Sequence, residues 1–146
     1  MEDPVNTAVK LFENKSNCAQ AVFAAFAPRF GVPLETALKL TSPLGGGIAR
    51  RGQVCGAVNG AMLAIGLGRG SAAPEGKEAT YALGQDVLRR FEALHGSIVC
   101  NQLVGYDISD PEQYRQASEL GVFRARCPGF VRDAAVIVAE LLESQG

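Results

Sequence analysis

Four thiols carry the chemistry available to this chain. Cys18, Cys55, Cys100 and Cys127 are separated by 37, 45 and 27 residues, so neither a pairwise zinc-ribbon pattern nor a haem-attaching CxxCH exists. Any site they share has to be assembled by the tertiary fold. Spread out in this way, four thiols in a reducing cytoplasm serve as metal ligands, redox-active groups or small buried hydrophobes rather than permanent disulfides. As ligands they suit an iron–sulfur cluster or a zinc ion. As redox groups, a subset cycles between dithiol and disulfide.

The elements that position them read as helices. Ala and Leu are plentiful, Phe and Val recur at spacings of three and four, and period-two runs are rare, which predicts an all-α, compact multi-helix domain spanning residues 1–146. Asp3 and Pro4 open a helix carrying Val5, Ala8, Val9 and Phe12 on one face, interrupted at Asn14-Lys15-Ser16. A second helix runs from Asn17 toward Pro28 or Gly31, and Pro33 starts a short third. Residues 52–68 place Gly56, Gly60, Ala64 and Gly68 four apart, on one helical face. Side chains that small allow another backbone close, so this is the expected central, tightly packed helix. Pro74 opens a longer helix through Leu94, broken by His95, Gly96 and Ser97. Ser97 is read as capping a short helix with Ile98, Cys100, Leu103 and Val104, and Asp110 with Gln113 as a capping box. After Cys127-Pro128-Gly129, Phe130 to Leu142 form the closing helix.

On this map each cysteine lies in or beside the first turn of a helix, where unpaired N–H groups and the positive helix end favour a thiolate. Without a metal, Cys55 is the expected attacking thiol, aided by the positive charge of Arg50 or Arg51, with Cys100 or Cys127 as its resolving partner. The inert alternative places Cys55 on a small-residue packing face. Gly45, Gly46 and Gly47 are read chiefly as flexible loop, with a weaker reading in which their backbone donors contact an anion or cofactor. His95 reads as a capping or surface group, Arg89 and Arg90 as a solvated face, and Asp107, Asp110 and Glu112 show no paired-carboxylate spacing. The serines have no base partner, so hydrolase chemistry is unsupported.

The segment Cys55-Gly56-Ala57-Val58-Asn59-Gly60 resembles the CGAxxG signature of a redox-active protein family with four characteristic cysteines. The order of Cys18 in SNCA, Cys55 in the signature, Cys100 in SIVCNQLVG and Cys127 in CPGF is similar to that family's arrangement over nearly the whole chain. The resemblance implies a redox or electron-transfer role, with Cys18, Cys55, Cys100 and Cys127 as ligands of an iron–sulfur centre. A metal-free dithiol protein and a non-catalytic, zinc-stabilised interaction module remain the alternatives.

Composition limits the partners. The 146 residues include 14 basic and 15 acidic side chains, for a net charge of -1, which gives no general attraction for nucleic acid. No run approaches the roughly 20 apolar residues of a membrane span, and the N-terminus lacks a signal-peptide pattern. The expected protein is cytoplasmic, a monomer or homodimer, acting with a redox partner that the sequence does not identify.

Overall fold

A computed structural model describes residues 2–143. Asp3 starts the first helix: its Oδ1 accepts from the Val5 N–H at 2.9 Å, and Pro4 occupies the first turn, where a missing N–H leaves no bond unmade. α1 spans Pro4–Glu13 and α2 Cys18–Phe26; a 3-10 turn, Ala27–Phe30, then ends at Gly31 with φ 86°. α3 is Leu34–Thr41, α4 Gly56–Arg69, α5 Lys77–His95, α6 Cys100–Val104, α7 Pro111–Glu119 and α8 Val122–Glu143. Among the described residues no strand forms, only an isolated antiparallel bridge between Val54 and Val99. The all-α expectation holds. No described helix is long and apolar enough to cross a membrane.

The stripe of small residues sets the packing at the centre. A Cβ on Gly60 would lie 2.7 Å from the Ala19 carbonyl oxygen, and one on Gly56 would lie 3.2 Å from the Cys18 Cβ. α4 therefore approaches α2 more closely than ordinary side chains permit. Farther along, Gly68 gives the same room to Leu142 and Phe30. α2 buries nearly all of its side chains, enclosed by α1, α3, α4 and α8. α8 closes the core with Phe130, Val131, Ala134 and Val138.

Three local expectations are corrected. The Cys127-Pro128-Gly129 break does not occur, because α8 runs unbroken from Val122 through Pro128 to Glu143. Pro128 has no N–H to give the preceding turn, yet burial of Cys127 before it and of Phe130 and Val131 after it holds the axis together. Helix α6 starts at Cys100 rather than Ile98, since the backbone just before it pairs with residues 53–55. Ser97 accordingly caps the preceding turn, its Oγ accepting from the Val99 N–H at 2.9 Å. Asp110 caps α7 as expected, but Gln113 accepts from the Asp107 N–H at 2.8 Å instead of reciprocating.

Candidate cysteine site

Each cysteine is placed by a different element. Cys18 is the first residue of α2, behind a capping box in which Asn17 Oδ1 accepts from the Gln20 N–H at 2.8 Å and Gln20 Oε1 accepts from the Asn17 N–H at 2.9 Å. The same two side chains donate outward, Asn17 Nδ2 to the Ser42 carbonyl and Gln20 Nε2 to the Leu38 carbonyl. Cys18 is thereby anchored to α3 and to the turn after it. Cys55 is the N-cap of α4, and Cys100 is the first residue of α6. A short antiparallel ladder clamps these two. The Cys55 N–H donates to the Ile98 carbonyl at 2.8 Å, and the Cys100 N–H donates to the Gln53 carbonyl at 2.6 Å. Cys127 lies in the interior of α8, which corrects its expected place at a helix start; next to it, Arg126 donates to the Leu103 carbonyl at 3.0 Å and ties α8 to α6.

The glycine-rich segment is a tight left-handed turn rather than an open loop. Gly46, Gly47, Ile48, Ala49 and Arg50 all have positive φ, between 50° and 69°. That conformation costs L-residues roughly 1–2 kcal/mol each, and backbone bonds offset the strain. Ala49 N–H donates to the Pro43 carbonyl, Arg50 N–H to Gly45, Gly52 N–H to Gly46 and Gln53 N–H to Gly47. The turn packs directly on the cysteine supports. A Cβ on Gly45 would meet Asn17 at 2.7 Å, one on Gly47 would meet the Cys100 Cβ at 2.8 Å, and one on Gly52 would meet Asn101 Oδ1 at 2.1 Å. Asn101 cannot easily yield, because its Oδ1 accepts from the Ile108 N–H and its Nδ2 donates to Asp107.

All four cysteines line one cavity of about 170 Å3. Its walls are otherwise mainly apolar and aromatic, including Phe12, Leu103, Tyr114, Phe123 and Phe130. Gly46 and Gly47 belong to the wall, whereas Gly45 stands behind it. Among the described residues Arg50 is the one charged side chain lining the cavity; Arg51 does not reach it. The Arg50 guanidinium lies over the Tyr114 ring, 4.1 Å from its centroid. Among the described residues, no three His, Cys, Asp or Glu side chains draw together as ligands of a single metal ion. All four cysteines are free thiols.

The expected thiolate character is reversed at three of the four, by its partner Cys127 at Cys18 and by burial at Cys55 and Cys100. The first-turn N–H groups of Ala57 and Val58 pull the Cys55 pKa down, but burial outweighs them and lifts it to about 11. Burial, aided by the charges of Cys55 and Cys127, raises Cys100 to about 12. Cys18 and Cys127 act most strongly on each other: the effect of the Cys18 thiol on the Cys127 sulfur raises Cys18 well above, and lowers Cys127 below, the ordinary cysteine value. Cys127 is the acidic thiol through its partner, not through a helix end.

A pH dependence follows from Cys55 and Cys100. Their folded pKa values exceed the ordinary 9.0, so above pH 9 the unfolded chain has released protons that the folded chain retains. The stabilisation is complete below pH 9 and is lost as pH rises through 11 for Cys55 and 12 for Cys100. Denaturant unfolding of reduced, metal-free protein across this range is expected to show falling stability, with a shallower fall in Cys55→Ala. An unchanged stability up to pH 11 would contradict the assignment.

The remaining sequence candidates lie elsewhere. His95 ends α5 half-buried between Phe91 and Phe130, with Nε2 2.8 Å from Asp133 Oδ2, and so is neither a simple cap nor a free surface group. Arg89 and Arg90 form the expected exposed face and approach Asp86. Asp110 caps α7, and Asp107 is held by Ser109 and Asn101. Sequence reasoning missed Gln20, although Asn17-x-x-Gln20 is a legible capping box. It also missed Tyr114 and Phe123, whose rings pack 5.4 Å apart beside the cavity; no local pattern marks an aromatic for that wall.

No curated protein and no solved structure matches the chain. A family model does, over residues 16–141, a span that includes all four cysteines. Its label spells the motif GCAxxG, whereas this chain places cysteine before glycine, as Cys55-Gly56-Ala57-Val58-Asn59-Gly60. With four cysteines gathered on one cavity and the motif supplying the N-cap of α4, the chain belongs to the family described as "Putative redox-active protein (C_GCAxxG_C_C)".

Proposed function

We propose that the four cysteines hold an iron–sulfur centre and that the protein transfers electrons. The carrying observation is that all four thiols, from four separate elements, border a single cavity of about 170 Å3. Four thiolates around one apolar cavity are the donor set that iron–sulfur clusters use, and a single zinc ion would need the same sulfurs within about 2.3 Å of one point. When bound, an iron–sulfur centre supplies reversible one-electron chemistry.

The chain's own residues do the rest. Phe12, Leu103 and Phe130 give the cavity apolar walls, while Gly46 and Gly47 bring backbone to it without intruding side chains. Cys55 and Cys100, neutral in the metal-free fold, release their protons on ligation, so assembly improves as pH rises toward their pKa values. The reading requires a reducing compartment, the cytoplasm, where thiols stay available. Protein purified under strict anaerobiosis without chelators is expected to contain iron and inorganic sulfide in fixed ratio to the chain, with visible absorption that bleaches reversibly on reduction. Stoichiometric zinc without iron would replace this reading with a structural one.

The Cys18–Cys127 contact supports a second reading, a metal-free dithiol/disulfide protein. Cys127, the more acidic sulfur, attacks an incoming disulfide and releases one thiol; Cys18 then displaces the second and closes the Cys18–Cys127 disulfide. Absence of both iron and zinc from anaerobic protein, with a Cys18–Cys127 disulfide after mild oxidation, would favour it.

A further inference from the structure

We propose that the open groove beside the cysteine cavity binds a small molecule through a carboxylate or phosphate group. The groove encloses about 540 Å3, within the range of small-molecule pockets. One side comes from the left-handed turn, with Arg50 and Arg51; the other comes from the α6–α7 connection and α7, with Ile108, Ser109 and Tyr114. Arg50, Ile108 and Tyr114 also line the cysteine cavity, so the two spaces share a wall.

Both charged side chains among the groove's lining residues are arginines. Neither Arg50 nor Arg51 is ion-paired among the described residues, and the nearby carboxylates are committed elsewhere. Asp107 accepts from Asn101 and from the Ser109 hydroxyl, Asp110 caps α7, and Glu112 pairs with Arg115. Arg50 is stacked on Tyr114. A stacked guanidinium keeps its in-plane N–H edge available for the paired oxygens of a carboxylate or phosphate. The turn presenting both arginines holds Arg50 itself at φ 62°, a conformation that the turn's backbone bonds maintain. A ligand anchored by its anionic group would lay its remaining atoms against Ile108 and Tyr114, at the rim of the cysteine cavity.

This inference goes beyond the redox assignment and holds whether the thiols carry a cluster or a disulfide. The test is calorimetric titration of the reduced, full-length protein at low ionic strength with two probes, inorganic pyrophosphate and citrate. Saturable one-to-one binding that weakens with added salt is expected. Arg51→Gln, an exposed change outside the cysteine cavity, is expected to weaken it about tenfold, as loss of a charge-assisted contact does, with helicity unchanged by circular dichroism. Tighter binding of pyrophosphate identifies a phosphate ligand, and tighter binding of citrate a carboxylate; either supports the site. Failure of both probes to bind at millimolar concentration, or equal binding by Arg51→Gln, would overturn it. Because binding is read directly, a protein without iron leaves this result intact.

Discussion

Serine at any one of Cys18, Cys55, Cys100 or Cys127 is expected to lower the iron and sulfide content of anaerobically purified protein by at least about tenfold, since changes even one shell away from a metal cost 10–100-fold in affinity. Each cysteine comes from its own element, and among the described residues the cavity wall offers no histidine or carboxylate to take over a lost ligand. The four single variants also separate the two redox readings. With a cluster all four matter, whereas in the metal-free scheme only Cys18→Ser and Cys127→Ser block the disulfide. Metal and sulfide assays, combined with mass mapping of the disulfide after mild oxidation, distinguish these patterns. Wild-type iron content in both Cys55→Ser and Cys100→Ser would end the four-ligand proposal. Thermal melts belong beside the assays, because a buried hydroxyl without a partner costs about 1–3 kcal/mol.

Gly47→Ala is expected to destabilise the protein by more than about 3 kcal/mol, combining left-handed strain with a clash that backbone cannot relieve. The added Cβ would lie 2.6 Å from the Gln53 nitrogen and 2.8 Å from the Cys100 Cβ, at φ 68°. Displacing Gln53 also disturbs the carbonyl that receives the Cys100 N–H, so the site should deform together with the fold. Gly129→Ala supplies the contrast. A Cβ there meets nothing within 4 Å, in the interior of α8, and the gain in helix propensity is worth about 0.5–1 kcal/mol of added stability. Urea unfolding of the reduced proteins measures both. A Gly47→Ala protein within about 0.5 kcal/mol of the parent, the ordinary span of harmless surface changes, would show that the turn is not the rigid support described.

The helical class, the positions of most helices and the close packing along Gly56 and Gly60 were legible in the sequence, because apolar periodicity, caps and small-residue spacing are local signals. Asp3, Pro4, Asp110 and the four-residue stripe acted as read. So did the membership of Cys55 in the family motif, since that is a string of adjacent residues. Tertiary structure decided what local signals cannot carry. Pro128 lies within α8 because burial on both flanks outweighs its poor helix propensity. The glycine run became a packed left-handed turn because Asn17, Cys100 and Asn101 occupy the space beside it. Above all, the thiol chemistry was inverted: helix starts favour thiolates, yet burial raised Cys55 and Cys100, and Cys127 was acidified by Cys18, 109 positions away in the chain. Desolvation and sulfur–sulfur contact depend on which surfaces meet, and only the folded chain determines that.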